Sequence, residues 1–292
     1  MITLLSVAWC VIVFLALNSN KNMTDAAAMK FGFFGATEIF EGRWYSLITS
    51  AFVHIEITHI FFNMYWLWIL GPVVERQMGP LKFAGFIILT AIISSGWQLA
   101  TGHTGIGFSG VGYAIIGYGW IARTRIPGLS RYFTNQTLQI FAGWAVICVF
   151  LDLFHVSNIG NVAHISGAAA GALIALAFIQ RRWYAYVALP IMTALAFVPV
   201  YWNPRSPEWN FHKGVVAHDK KDYDKAITYY QRSAELDPDL WESWYNIALI
   251  DAGRQDTAKF MDALAKVRKL KPTEADKLEK EILGNNKPTE GN

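Results

Sequence analysis

Histidine, serine, asparagine and tyrosine recur at helical spacings inside some of the most apolar stretches of this chain. His54, His59 and Asn63 fall in one such stretch. Gly107-Phe108-Ser109-Gly110, with Tyr113 beyond it, opens another, and Asn161 and His164 begin a third, followed by Gly167 and Gly171. His59 and Asn63 stand at i and i+4, as do Ser109 and Tyr113, so each pair shares a helix face. Between them the stretches supply a hydroxyl, imidazoles and an amide, the groups that nucleophilic acyl transfer requires. A serine is a weak nucleophile until a base takes its proton, and histidine titrates in the range that suits that base. The tetrahedral oxyanion needs donors already in place, and an amide side chain with a second imidazole would supply them.

Each feature alone has a plainer reading. Gly-x-Ser-Gly in a glycine-rich helix is usually a packing surface, and an isolated histidine among apolar residues more often pairs with another polar group. His54 and Asn161 would serve as caps or hydrogen-bonding groups near an interface. Read together, the features converge. Gly167 and Gly171 follow His164 by one and two turns and would let its helix approach the one carrying Gly110 and Gly117. That approach would bring His164 within hydrogen-bond reach of Ser109. His103, His155, His212 and His218 lie in loops or in the tail and receive no role. Cys10 and Cys148 sit in separate apolar stretches and read as small hydrophobes. No cofactor and no metal is called for.

Apolar helices must position these groups. Hydrophobic residues make up 53% of the chain and charged residues 16%, against about 25% charged in soluble domains. Residues 1–204 hold ten Lys/Arg and six Asp/Glu, whereas residues 205–292 hold fifteen and sixteen. This segregation predicts an all-α polytopic membrane bundle followed by a small soluble helical domain, with the lipid bilayer as a partner. It gives no basic footprint for nucleic acid. Seven stretches approach the roughly 20 residues a bilayer demands: 2–18, 51–70, 82–101, 108–122, 137–154, 160–180 and 183–202. The first lacks the charged leader and cleavage site of a signal peptide and is read as a retained helix. Arg76, Lys82, Arg123, Arg125, Arg131, Arg181 and Arg182 cluster after alternate spans. The positive-inside bias therefore puts the N-terminus in the cytoplasm and, after a seventh crossing, the tail outside. Pro190 and Pro199 are possible kinks in that last span.

The tail carries a repeat. Gly214, Ala226, Tyr230, Ala234 and Pro238 take the small, aromatic and proline positions of a tetratricopeptide repeat. Trp244, Ala248 and Pro272 follow one period later, with Phe260 departing where a small residue is expected. Thr273–Leu283 would cap the stack. The expected division is 1–182, a six-helix core; 183–203, an extra membrane helix; 204–284, helical repeats with a cap; and 285–292, a disordered end. Most of the tail's aromatics are read as repeat core, with a protein partner on the concave face as the functional possibility.

The joint pattern resembles the rhomboid family of intramembrane serine proteases, from Trp44 to Ile179. The resemblance rests on His54-x4-His59-x3-Asn63, Gly71-x3-Glu75, Gly107-Phe108-Ser109-Gly110-x2-Tyr113 and Asn161-x2-His164-x2-Gly167-x3-Gly171. It implies Ser109 as nucleophile and His164 as base in a dyad without a third acid, with Tyr113 stacked on His164. It also implies an oxyanion hole from the Ser109 N–H with His59 and Asn63. Gly107, Gly110 and Asn161 would be supporting residues, Gly167 and Gly171 packing residues. The implied substrates are transmembrane proteins, cut in or near their membrane helices. The six-plus-one helices and repeat tail look like bacterial members of the plasma membrane. Ser46 stands where many members carry the arginine of a Trp-Arg pair. Two other readings are a rhomboid-like protein that routes membrane clients without cutting, although such members normally lose the serine or histidine, and a transporter, for which no half-to-half repeat is visible.

Overall fold

A computed structural model describes residues 1–19, 29–33, 35–154, 156 and 159–284, and among them every regular element is helical. Lys21, Asp25, His155 and the 285–292 segment lie outside the described residues. The chain divides into two compact units, Met1–Trp202 and Asn203–Asn292.

The first unit is a bundle. It comprises α1 (Ile2–Asn18), the short α2 (Ala36–Phe40) and α3 (Ser46–Thr49), a 3₁₀ turn at Ser50–Phe52, α4 (Ile57–Met78), α5 (Pro80–Leu99), α6 (Ser109–Ala122), α7 (Asn135–Leu153), α8 (Asn161–Phe178) and α9 (Trp183–Tyr201). Helices α4, α5, α7, α8 and α9 are each long and apolar enough to cross a membrane. The protein is a multi-pass membrane protein. Helix α1, at 17 residues, falls just short of that length, and α6 has only 14. Fourteen residues rise about 21 Å, less than the ~30 Å hydrocarbon core. Helix α6 tolerates this because it is enclosed by protein, with Gly110, Val111, Tyr113, Ala114, Ile115, Ile116, Tyr118, Gly119 and Ala122 all buried.

The second apolar stretch corrects the sequence reading. The helix runs Ile57–Met78 rather than 51–70. Residues 50–52 form the 3₁₀ turn, and the chain extends at Val53 (ψ 130°) and again at Glu56 (ψ 141°), the N-cap of α4. His54 therefore precedes the helix that carries His59 and Asn63. Helix α4 continues through Pro72 and stops where Gly79 takes φ +83°, a conformation that favours glycine.

Gly71 and Glu75 dock α1. The buried Glu75 carboxylate accepts from the N–H groups of Ile2 (2.7 Å) and Thr3 (2.9 Å), from the Thr3 hydroxyl (2.7 Å) and from the Met1 amine (2.7 Å). A carboxylate at a helix N-terminus satisfies orphan donors and complements the helix dipole. One turn earlier, a Cβ at Gly71 would lie 2.8 Å from Thr3 Cγ2, so a larger residue there would have to displace the Thr3 and Leu67 side chains.

Helix α9 packs along α5. A Cβ at Gly96 would strike the Ala196 carbonyl, Trp97 Nε1 donates to Met192 O at 3.2 Å, and Phe197 meets Trp44 edge to face. Pro190 and Pro199 lie within one uninterrupted helix.

The second unit consists of α10 (Pro207–Asp219), α11 (Tyr223–Leu236), α12 (Trp241–Gly253), α13 (Thr257–Leu270) and α14 (Pro272–Gly284). Side-chain caps start three of them. Ser206 accepts from Trp209 N–H, and Asp222 and Asp256, one repeat period apart, accept from Lys225 and Lys259 N–H. Gly214 lies against the Tyr230 ring, and Ala226, Tyr230, Ala248 and Phe260 are buried in one core that Ala275 and Leu278 of α14 complete.

Candidate active site

Helices α6 and α8 are joined through backbone rather than through side chains. A Cβ at Gly167 would strike the Gly110 carbonyl, one at Gly171 the Ala114 carbonyl, and one at Gly117 the Ala168 carbonyl. On the opposite side, a Cβ at Gly110 would sit 2.5 Å from Ser94 Oγ of α5. Small residues at such crossings let the carbonyls of one helix approach the Cα positions of the other.

At the end of this seam His164 Nε2 lies 2.9 Å from Ser109 Oγ. Ser109 is the first residue of α6 and His164 lies in the first turn of α8, so the pair sits where both helices begin. The Tyr113 ring stacks on the imidazole, with centroids 4.5 Å apart and planes 17° from parallel. Its hydroxyl donates to Phe141 O at 3.0 Å, which anchors the stack on α7. His164 is 6% exposed, and its Nδ1 is buried with no hydrogen-bond partner among the described residues. The ring face of Tyr113 is what packs against the imidazole.

The approach to Ser109 is equally constrained. Gly107 N–H donates to Ser50 O at 3.0 Å, and Phe108 N–H donates to His54 Nε2 at 3.2 Å. Gly107 has φ +99°, and a Cβ there would strike the His59 imidazole. His54 and His59 meet edge to face at 4.9 Å. His59 thus lies beside the turn that delivers Ser109, whose own N–H, at the first position of α6, has no intrahelical acceptor. Asn63 Nδ2 donates to His59 O at 3.1 Å, engaging one of its two hydrogens within α4. Asn161 Nδ2 donates to Asp152 Oδ2 at 3.2 Å, linking α8 to α7.

The rhomboid domain family matches residues 41–181, and the tetratricopeptide repeat family matches residues 207–240. Residues 41–181 are thus similar to a rhomboid domain. The chain is also 34% identical over 181 residues to the Rhomboid protease GlpG of Enterobacter sp. (strain 638), which covers 60% of this chain and 62% of that relative. The chain thus spans somewhat under two thirds of the curated relative's length. Ser109, His164, His59, Asn63, Tyr113 and Asn161 all fall inside the stretch that matches the rhomboid family, and the helical repeat region follows it.

Two polar residues at this site escaped the sequence reading. Gln98, on α5, bonds the first turn of α8, and Asp152, at the end of α7, holds Asn161. Gln98 had a visible signal. Thr90, Ser94 and Gln98 recur every fourth residue in an apolar stretch, which places three polar groups on one helix face. Asp152 is a lone carboxylate at the end of a span, with no spacing to mark it.

Proposed function

We propose that the chain is an intramembrane serine endopeptidase that cuts other membrane proteins in or near their transmembrane helices. The observation that carries the reading is the 2.9 Å contact between Ser109 Oγ and His164 Nε2, with Tyr113 stacked on the imidazole. His164 Nε2 takes the Ser109 proton while Oγ bonds to the scissile carbonyl carbon, whose π pair moves to oxygen. Collapse of this tetrahedral species breaks the C–N bond, and the leaving amine takes the proton from His164. Water, deprotonated by the same imidazole, then attacks the acyl-serine, and Ser109 leaves with that proton. The oxyanion is received by the Ser109 N–H, His59 and the free hydrogen of the Asn63 amide. Removal of one such donor typically costs about 10²–10³ in turnover.

The proposed setting is a bacterial plasma membrane with Met1 in the cytoplasm and the tail outside. Loop charge supports this, as does the docking of Met1 on Glu75, one residue before Arg76. The tail is proposed to bind a protein partner. A serine-directed fluorophosphonate should label the purified chain, and Ser109→Ala should abolish labelling and lower cleavage of a model transmembrane substrate by about 10⁶-fold. Undiminished cleavage by Ser109→Ala would sink the proposal.

A further inference from the structure

Helix α8 begins without a cap of its own. Its N-cap is Gly160, which has no side chain to offer, and the first N–H groups of any helix lack intrahelical acceptors. The Ala163 N–H, one residue before His164, instead donates to the side-chain Oε1 of Gln98 at 3.2 Å. Gln98 belongs to the last turn of α5 and is 6% exposed. Its other end is fixed too. Gln98 Nε2 donates to Thr101 Oγ1 at 3.2 Å, and the Thr101 hydroxyl donates back to the Gln98 carbonyl at 2.7 Å. The amide oxygen is therefore the end left to face α8.

The same side chain fills the space between the two segments that lead to Ser109 and His164. A Cβ on Gly105 would lie 3.5 Å from Gln98 Cγ, and one on Gly160 would lie 3.4 Å from Oε1. The adjacent Trp97 is bonded to α9 through Met192 O. Gln98 is thus anchored from behind and touches α8 at its one uncapped turn.

We propose that Gln98 is a positioning residue for His164, capping α8 from the neighbouring helix and fixing the depth and rotation of the turn that carries the imidazole. The proposal rests on the reading of Ser109 and His164 as the reacting pair. Misplacement of a reacting group by about 1 Å can cost about 10²-fold in rate, so a partial loosening should be visible kinetically.

The test uses the full chain as wild type, Gln98→Leu and Gln98→Glu, the last of which keeps an acceptor at the same reach. Hydrogen exchange of the Ala163 amide reads the cap whether or not the protein is active. Fluorophosphonate labelling and kcat on a transmembrane substrate read the alignment. Gln98→Leu should speed Ala163 exchange and lower both labelling rate and kcat by about 10-fold, with KM within about twofold. Gln98→Glu should recover most of each. Unchanged Ala163 exchange in Gln98→Leu overturns the cap, and faster exchange with wild-type labelling and kcat overturns the positioning. Equal losses in both variants, tracking a lower Tm, point to packing alone and also overturn it. If Gln98→Leu does not accumulate, Thr101→Val must shift exchange and rate in the same direction by a smaller factor, and wild-type behaviour in both overturns the proposal. Failure of the wild type to label at all counts against the reacting pair, while the exchange measurement still decides the cap.

Discussion

The two units of this chain solve the same problem, packing helices, with opposite materials. In the membrane unit the tightest seam is backbone against backbone, glycine facing carbonyl, and buried Glu75, His54, Gln98 and His164 each bond to another segment of the bundle. In the tail the helices meet through Tyr230, Phe260, Leu264 and Val267, and every ion pair between side chains among the described residues lies there. The difference follows from solvent. Water drives apolar faces together in the tail. Lipid gives no such drive, so close contact and hydrogen bonds must hold the membrane helices. The lesson is where precision resides. A seam without side-chain slack fixes Ser109 against His164, whereas the tail's core is built of side chains that can shift.

The sharpest way to break this contrast is to open the seam. Gly171→Val puts a branched side chain where the Ala114 carbonyl stands, and a carbonyl in a helix cannot swing aside. Helices α6 and α8 must part, and fluorophosphonate labelling should fall about 10²-fold or more, with a lower Tm. Gly112→Ala is the control. It lies on the same helix as Gly110, but nothing stands within 4 Å of its added Cβ, and labelling should stay at the wild-type rate. Full labelling of Gly171→Val would show that the close approach has no part in aligning the pair.

Much of this was legible in the sequence, for physical reasons. Polar side chains in apolar stretches are costly, so Ser109, His164, His59 and Asn63 stood out by being there at all. Gly167 and Gly171 stood out by their spacing. What stayed hidden was the partner of each group. His54 read as part of a helix because hydropathy does not stop at the 3₁₀ turn of Ser50–Phe52, and its bond to Phe108 N–H joins residues far apart in the chain. Glutamine signals no chemistry alone, and the meaning of Gln98 lies in the missing side-chain cap at Gly160. The role of Glu75 in seating α1 was equally out of reach, since it depends on backbone donors that a sequence does not display. Phe260 departs from the repeat pattern yet is buried in the tail core, in the same cluster as Ala248 and Ala263.

A glycine change of the same kind in the tail should behave differently. A Cβ at Gly214 would lie 2.5 Å from both Cδ1 and Cε1 of the buried Tyr230 ring. A ring can shift where a backbone carbonyl cannot, so Gly214→Ala should cost about 1–3 kcal/mol of tail stability, roughly 4–8 °C per kcal/mol in a unit of this size. Fluorophosphonate labelling should be unchanged. A fall in labelling that matches the fall in tail stability would erase the distinction between the two units.

The smallest effect concerns charge in the tail. Asp251 on α12 is 3% exposed, and burial pushes its carboxyl above the ordinary 3.8, with attraction from Lys259 opposing, repulsion from Asp256 adding and attraction from Arg254 opposing again. A carboxyl raised in the folded state binds more protons folded than unfolded between 3.8 and its folded value. Tail stability therefore falls as pH climbs through that window and stays at the lower level above it. Asp251→Asn has no proton to lose and should stabilise the tail at pH 7 by roughly 1 kcal/mol or less. The gain should vanish at about pH 3, where Asp251 is protonated in both states. Thermal melts of the two proteins across that range decide the matter. A variant less stable than wild type at pH 7 would mean that Lys259 and Arg254 outweigh burial, and that even the tail's buried charge is held by its surface ion pairs.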